Sequence, residues 1–188
     1  QEDMQMWGEM PGIRVIPNAA NFIAEKYSDC SAKRVIAVGR LDYQKSFDRL
    51  IQVWEKVHQQ MPDWRLDIFG QGEWREMLQN MIDERGLNGT VKLNGPTKNI
   101  GQEYSDSSIL VMSSHYEGFP MVMVEAMACG LPAVTFDYKC GPRDIIIDGE
   151  NGLIVPDGDI DGLAEAMVRL MKDDDLRKRM GENAKKVV

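Results

Sequence analysis

Residues 34–51, RVIAVGRLDYQKSFDRLI, join an apolar run, a loop that begins with glycine, and the start of a helical pattern. The run Arg34–Val38 predicts a buried strand because it is short and rich in β-branched residues. After the loop, apolar residues recur at three- and four-residue spacing across residues 47–61, which predicts an amphipathic helix. Ser46 is placed as the N-cap of this helix and Pro62 as its stop. The stretch therefore predicts one strand–loop–helix unit.

The same alternation of strand and helix extends along the rest of the chain, with a second clear helical pattern at residues 163–171. Because the strands are apolar throughout, we expect a doubly wound α/β fold, a Rossmann-like parallel sheet with helices on both faces. Ligands of such sheets bind outside the carboxyl ends of the strands, so the site is sought in the strand-to-helix loops. The expected strands are Arg14–Ile16, Arg34–Val38, Arg65–Phe69, Val91–Leu93, Ile109–Met112, Ala133–Phe136 and Gly152–Val155.

Length and composition predict a single domain over residues 1–188. The chain has 188 residues, of which 43% are hydrophobic and 28% charged, enough to bury one core. A net charge of -8 argues against nucleic acid or an anionic membrane surface as the main partner. The three cysteines show no close pairing, which excludes a disulfide framework and a zinc ribbon and favours a reducing cytoplasm. No apolar run reaches the roughly 18 residues that a membrane span needs.

The loop after the Arg34–Val38 strand carries two cations, Arg40 and Lys45, which follow Gly39 and lie beside a predicted helix start. This combination suits a diphosphate because it offers a forked guanidinium, an ammonium point charge and free backbone N–H groups. Basic residues near helix starts are common, however. Taken alone, this loop is explained better by two solvated surface charges.

A second loop, SSHYEGFPMVMVE at residues 113–125, follows the Ile109 strand. Pro120 suits the first turn of a helix, so Glu117 is expected on the loop and Glu125 about a turn and a half inside the helix. Gly118 allows a ligand to approach the backbone closely. Two carboxylates beside a helix end can accept hydrogen bonds from sugar hydroxyls. A capping charge and a buried, satisfied acid explain the same residues equally well.

Together the two loops resemble the retaining group-1 glycosyltransferases, which have the two-domain GT-B fold. The resemblance covers nearly the whole chain, and its motifs fall in family order and spacing. They are Ile16-Pro17-Asn18, Gly39-Arg40-Leu41 with Lys45, Phe69-Gly70-Gln71-Gly72, Gly95, Ser114, the pair Glu117 and Glu125, Glu125-Ala126-Met127-Ala128 before Gly130-Leu131-Pro132, and Gly152-Leu153-Ile154-Val155-Pro156.

The resemblance implies a role for each matched residue. Arg40 and Lys45 are expected to bind the donor diphosphate and Glu117 to contact the donor sugar, and these three are the expected catalytic residues. Glu125 is expected to bind the ribose hydroxyls. Backbone amides of the 118–121 segment are expected to hold sugar and phosphate oxygens, and the 95–97 loop to flank the base. The expected donor-binding residues are Gly39, Gly95, Pro96, Thr97, Gly118, Phe119, Pro120, Met121 and Glu125.

Three positions depart from the family pattern. Ser46 stands where a glycine is usual after the lysine, which is acceptable because serine is a good N-cap. Pro120 replaces a frequent glycine, so one backbone N–H contact to the donor is lost. Arg143 lies in a segment that differs from the usual Gly-Gly pattern. It is either a third cation for phosphate or acceptor or, the interpretation we favour, part of a surface salt bridge.

The function implied by the resemblance is transfer of a hexosyl unit, with retention of configuration, from a nucleoside-diphosphate sugar. UDP is the default nucleotide, and neither a metal nor another cofactor is expected, since the cations and a helix end face the leaving group. The acceptor would be a glycan, a lipid-linked acceptor or another hydroxyl compound in cytoplasmic polysaccharide biosynthesis. The chain lacks an initiator Met, and we expect a preceding acceptor domain to be absent from it, which would leave the chain alone inactive.

Two other functions are compatible with the same fold, a sugar-nucleotide 2-epimerase-like isomerase and a non-catalytic nucleotide-sugar-binding module. The spacing of Glu117 and Glu125, combined with the Arg40 and Lys45 pair, favours the transferase.

Overall fold

The computed structural model describes residue 24, residues 26–139 and residues 141–186. Within them, strands and helices alternate as predicted, while the expected strand Arg14–Ile16 and the motif at residues 16–18 lie outside the described residues. The elements are β1 Arg34–Val38, α1 Phe47–Gln60, β2 Arg65–Phe69, α2 Arg75–Glu84, β3 Val91–Leu93, α3 Ile100–Ser105, β4 Ile109–Met112, α4 Met121–Ala128, β5 Ala133–Asp137, α5 Pro142–Ile145, β6 Gly152–Pro156, α6 Ile160–Lys172 and α7 Asp174–Ala184.

The six strands form one parallel sheet in the order β3-β2-β1-β4-β5-β6. From β1 the chain moves outward to β3, then returns to the other side of β1 and moves outward again from β4 to β6. The topological switch point is therefore between β1 and β4, where open α/β sheets bind their ligands. The predicted fold class, a doubly wound Rossmann-like sheet, is confirmed.

Two hydrophobic cores cover the two faces of the sheet, and neighbouring residues of β1 alternate between them. Val35 and Ala37 pack into the core beneath α1, α2, α6 and α7. Ile36 packs into the opposite core, to which α3, α4 and α5 contribute. This alternation follows from the two-residue period of a strand. Burial on both faces leaves the carboxyl edge of the sheet, with its loops, as the place for a polar site.

Helix α1 starts where the sequence predicts, but Ser46 is held there by different contacts from those expected. Ser46 is the N-cap residue by position, but its side chain does not cap the helix, and its backbone is left-handed with φ 49°. The hydroxyl instead donates to Asp48 Oδ1 at 2.9 Å and lies 3.2 Å from Nε2 of His115. A left-handed backbone conformation normally favours glycine. The expectation that Ser46 is acceptable because it caps was therefore wrong, and its hydroxyl is held by one local contact, with Asp48, and one tertiary contact, with His115.

The other helix boundaries agree with sequence signals. Helix α1 ends at Gln60, two residues before Pro62. Asp159 caps α6 by accepting a hydrogen bond from the Gly162 N–H at 2.9 Å. Among the described residues, no helix combines the length and the apolar character that crossing a bilayer requires.

Candidate functional site

The two loops selected from the sequence meet at the switch point. The hydroxyl of Ser113, after β4, donates to the Lys45 carbonyl oxygen at 2.9 Å. The backbone N–H of His115 donates to the Gln44 carbonyl oxygen, also at 2.9 Å. These bonds join the end of the β1–α1 loop to the start of the β4–α4 loop. The groups that follow β1 and β4 therefore form one continuous surface.

At the centre of this surface Lys45 and Glu117 form an ion pair. Lys45 Nζ lies 2.6 Å from Glu117 Oε1, and the side chains are only 14% and 6% exposed. Ser114 donates to the same oxygen at 2.6 Å, and Gln44 Nε2 donates to Glu117 Oε2 at 3.3 Å. A carboxylate offers about four acceptor sites, so these three donors leave about one for a ligand.

Gly39 makes room for this arrangement. A Cβ at residue 39 would lie 2.8 Å from Cγ and Cδ of Lys45, closer than carbon atoms can approach. The lysine side chain crosses the loop where only glycine leaves space. Gly39 is thus required by the path of Lys45, a reason that the sequence did not reveal.

Arg40 lies at the outer side of the same loop and is 72% exposed. Its Nε is 3.1 Å from Asp42 Oδ2, and its Nη2 donates to Gln44 Oε1 at 3.0 Å. Gln44 therefore connects Arg40 to Glu117, because its amide oxygen faces the arginine and its NH₂ group faces the carboxylate. The structure brings the three residues predicted as catalytic into one cluster.

A pocket of about 390 Å³ adjoins this cluster at the carboxyl ends of β1 and β2. It collects five of the residues predicted to bind a donor, Gly39, Arg40, Pro96, Thr97 and Glu125, from separate parts of the chain. Its other walls are mainly apolar, as is usual for pockets that bind small molecules. The lining residues are Val38, Gly39, Arg40, Phe69, Gly70, Gln71, Pro96, Thr97, Ile100 and Glu125.

Glu125 is the acid of this pocket. It lies on α4, half-buried, and accepts a hydrogen bond from the Tyr104 hydroxyl at 3.3 Å. Burial raises the pKa of Glu125, although the Tyr104 hydrogen bond partly opposes that shift. Tyr104 is fully buried, and both burial and the negative charge of Glu125 raise its pKa. Tyr104 is therefore a neutral donor that orients the carboxylate.

Close backbone contacts hold the floor of the pocket together. The Gly39 N–H donates to the Phe69 carbonyl oxygen at 3.0 Å, and the Gly70 N–H donates to the Gly95 carbonyl oxygen at 3.3 Å. Gly70 has φ +149°, and a Cβ there would lie 1.8 Å from the Gly39 oxygen. Glycine at residue 70 is needed to pack the loops after β1, β2 and β3 against each other.

The start of α4 faces the same surface. A Cβ at Gly118 would meet no described atom within 4 Å, so the space beside it is open. Pro120 is the N-cap residue and has no N–H, and the Met121 N–H donates to the Phe119 carbonyl oxygen at 2.9 Å. Of the predicted 118–121 amide segment, this leaves the N–H groups of Gly118 and Phe119 as candidates for contacting a ligand.

Arg143 forms the salt bridge that the sequence favoured. Its Nη2 donates to Asp137 Oδ2 at 2.7 Å, and its Nε donates to both oxygens of that carboxylate at 3.0 Å. The side chain is 71% exposed, so the pair contributes little stability. Nothing in this geometry leaves Arg143 as an unpaired cation.

Sequence reasoning missed several residues that support the site. It did not single out Gln44, which lies beside a predicted residue, or Tyr104, which is distant in sequence from Glu125. Arg49, whose guanidinium donates to the carbonyl oxygens of Ser113 and Ser114, was also missed because a charge on the polar side of an amphipathic helix is ordinary. In each case the signal is a contact between distant segments, which local patterns do not contain.

Comparison with known proteins gives the family. A family model described as glycosyl transferases group 1 matches residues 21–187. The exopolysaccharide phosphotransferase SCO2592 of Streptomyces coelicolor is 39% identical over 93% of this chain and 19% of its own length. The amylovoran biosynthesis glycosyltransferase AmsD of Erwinia amylovora is 36% identical over 93% of this chain and 51% of its own length. The chain thus spans about half or less of these curated relatives.

A solved structure agrees in fold over almost the entire chain. TarM of S. aureus, in a mutant form in complex with Fondaparinux, alpha-GlcNAc-glycerol and UDP, has a TM-score of 0.88 and 28% identity, and the match covers 98% of this chain and 38% of TarM. Sequence and structure therefore agree on the family. The chain belongs to the group 1 glycosyl transferase family.

Proposed function

We propose that the protein is a retaining glycosyltransferase that moves a hexosyl unit from a nucleoside-diphosphate sugar to a hydroxyl group of an acceptor. This chain is its donor-binding domain. The observation that carries the proposal is the buried pair of Lys45 and Glu117 beside the exposed Arg40, at the edge of the pocket that contains Glu125. Cations, a sugar-facing acid and a ring-sized pocket are the parts that binding such a donor requires.

The geometry supports a division of the donor into three parts. The nucleoside occupies the pocket, where Glu125 accepts hydrogen bonds from ribose hydroxyls and the 95–97 loop flanks the base. The diphosphate lies between pocket and cluster, against Arg40 and Lys45. The sugar lies toward Glu117 and the start of α4. This order follows from the adjacency of the pocket and the ion pair, which share Gly39 and Arg40 on one loop.

In the transfer, the bond between the anomeric carbon and the diphosphate oxygen breaks while the acceptor oxygen bonds to that carbon from the same face. The acceptor proton passes to the departing diphosphate. Negative charge therefore grows on the leaving group as the bond breaks, and the sugar becomes oxocarbenium-like. Arg40 and Lys45 are fixed close to where that charge develops, so they stabilise the transition state without a metal.

Two relatives support the choice of donor and product class. TarM was solved with UDP bound, which supports UDP as the nucleotide. AmsD is named for amylovoran biosynthesis, which supports a glycan as acceptor, and a lipid-linked glycan is one form of it. Because the chain spans only 19% of SCO2592 and 51% of AmsD, we assign the acceptor contacts to a further domain of the full-length protein. We place the full-length protein in the cytoplasm.

The test is a screen of nucleotide sugars against the full-length protein. Calorimetry with UDP-glucose, UDP-galactose, UDP-GlcNAc and the corresponding GDP sugars identifies the donor, and NMR of the product gives its anomeric configuration. We expect one donor to bind and its sugar to be transferred with retention. Inverted product contradicts the retaining mechanism. Conversion of UDP-GlcNAc to its 2-epimer without acceptor indicates an isomerase, and binding without any turnover indicates a non-catalytic module.

A further inference from the structure

Arg49 on α1 holds the loop that follows β4. Its Nη2 donates to the carbonyl oxygens of Ser113 at 2.7 Å and Ser114 at 3.1 Å. The side chain is only 14% exposed, so these bonds are largely shielded from water. A charged donor shared by two successive carbonyl groups fixes the direction of the backbone between them.

The rest of the guanidinium is also held by protein groups. Nη1 donates to Asp157 Oδ1 at 2.9 Å, in the loop after β6. The guanidinium carbon lies 4.5 Å from the centre of the Phe136 ring on β5, a cation–π contact. Arg49 therefore connects α1 to the carboxyl ends of β4, β5 and β6. With both terminal nitrogens engaged in this way, its geometry suits a structural link better than direct contact with a ligand.

The two residues that Arg49 holds are those that orient the ion pair. The Ser114 hydroxyl donates to Glu117 Oε1 at 2.6 Å, and the Ser113 hydroxyl donates to the Lys45 carbonyl oxygen at 2.9 Å. Both serines are buried, with 1% exposure. A shift of the 113–114 backbone would therefore move the partners of Lys45 and Glu117 together. The nucleoside pocket is bounded by other residues, and the polar contacts of Arg49 lie outside it.

We propose that Arg49 is a positioning residue for the sugar-transfer step, which acts by fixing Ser113 and Ser114 so that Glu117 and Lys45 keep their relative placement. The inference rests on the proposed function. The inference predicts different effects on the transfer rate and on UDP binding, whereas a loss of folding would reduce both together. Removing Arg49 lowers the rate of transfer more than it weakens UDP binding, because the nucleoside is held in the pocket and only the diphosphate end of UDP contacts Lys45.

The test compares Arg49→Met with Arg85→Met in the full-length protein. Arg85 is a matched control, since it also pairs with a carboxylate, Glu55 at 3.3 Å, and donates to a backbone carbonyl, that of Met81 at 3.4 Å. In both arginines Nε is buried and makes no hydrogen bond among the described residues, although Nε of Arg85 lies 3.3 Å from Glu55 Oε2. Arg85 lies at the end of α2, away from the ion pair, so its loss reports the structural cost alone.

We expect Arg49→Met to lower kcat by about 10- to 100-fold, as small displacements of reacting groups do. The Kd for UDP should rise by a clearly smaller factor than kcat falls, because the nucleoside contacts in the pocket are unaffected, and the binding stoichiometry should stay the same. Arg85→Met should leave kcat within about twofold of wild type. An Arg49→Met variant with wild-type kcat, or one whose UDP binding falls as far as its kcat, overturns the inference.

A double-mutant cycle tests the route through Ser114. If Arg49 acts by placing that hydroxyl, Arg49→Met lowers kcat by a much smaller factor in a Ser114→Ala background than in the wild type. Fully additive losses contradict this route. Should Arg49→Met fold poorly, Arg49→Lys is used in its place, because it keeps the positive charge and a hydrogen-bond donor. Its kcat is expected to lie between that of the wild type and the reduced value expected for Arg49→Met. A wild-type protein that transfers no sugar overturns the proposed function and this inference with it. An active wild type with an equally active Arg49→Met variant overturns this inference alone.

Discussion

Lys45 and Glu117 come from loops 72 residues apart and meet at 2.6 Å between Nζ and Oε1. When no nucleotide sugar is bound, each residue neutralises the buried charge of the other. An ammonium group has three N–H donors, so Lys45 can keep Glu117 and still donate to a phosphate oxygen. If the proposed diphosphate assignment holds, the pair is a pre-assembled site, and little rearrangement is needed when the donor binds.

Replacing each cation should separate stability from catalysis. Lys45→Ala and Arg40→Ala are each expected to lower the transfer rate by about 100-fold or more, because each removes a group that stabilises the leaving diphosphate. Lys45→Ala should also destabilise the fold by about 3 kcal/mol, since it leaves the buried Glu117 without its cation. Arg40 is mostly exposed, and its variant should unfold at the wild-type temperature. Thermal melts and steady-state rates check both, and near-wild-type rates for both variants would end the diphosphate assignment.

Glu125 should control UDP affinity. A carboxylate that accepts hydrogen bonds from ribose hydroxyls contributes about 1.5 to 3 kcal/mol, so Glu125→Ala should weaken UDP binding by about tenfold or more. Calorimetry on the two proteins, with circular dichroism to show an unchanged fold, makes the comparison. Equal affinities would remove Glu125 from the site.

The raised pKa of Glu125 gives a pH dependence with a defined sign. The carboxylate accepts ribose hydroxyls best when ionised, so the contribution is present above its pKa and is lost as pH falls through it. Because burial raises that pKa, the loss begins at a higher pH than for an exposed glutamate. Glu125→Gln is the control, since any remaining pH dependence then belongs to UDP or to other groups. Identical pH profiles for the two proteins contradict the assignment.

Gly118 should matter for the ligand and not for the fold. A Cβ at residue 118 would enter open space, so Gly118→Ala is expected to melt at the wild-type temperature. It should lower kcat/KM by about tenfold if the donor approaches the backbone there, since a methyl group would displace it. Gly89→Ala, which also meets no described atom within 4 Å, is the matched control and should change neither quantity. Unchanged kcat/KM for Gly118→Ala would show that the donor does not lie close to the backbone at residue 118.

Activity should survive EDTA. Two cations and the start of α4 face the proposed diphosphate position and can take the place of a divalent ion. We expect most of the transfer rate to remain after chelation and dialysis. Complete loss that Mg²⁺ restores would show that the phosphate site needs a metal.

Much of the fold could be predicted from local patterns. The bounds of β1 to β4 agree with the expected strands, and β5 and β6 each extend one residue further, to Asp137 and Pro156. The strands are short apolar runs, most of them bounded by Gly, Pro or Asn, so their ends can be recognised in the sequence. Strand order is a different matter, because which strands pair depends on crossovers that no single segment encodes.

The site was predictable in its loops but not in its internal contacts. Motif order selected Arg40, Lys45, Glu117 and Glu125 as candidates, yet the direct pairing of Lys45 with Glu117 is a tertiary contact. The left-handed Ser46 shows the same limit. Serine's local preference for capping was outweighed by its hydrogen-bonding position between Asp48 and His115.

The last prediction concerns this chain expressed alone. The sheet carries a hydrophobic core on each face, so the chain should fold cooperatively without other segments. The residues assigned to the donor all lie within it, so it should bind UDP, although weakly, because a cleft closed by a second domain would exclude water and add contacts. It should transfer no sugar, since the acceptor contacts are assigned elsewhere. Heat-capacity scans, UDP titration and a transfer assay with the donor found by screening test these points in turn. Measurable transfer by the chain alone would overturn the assignment of acceptor binding to a further domain.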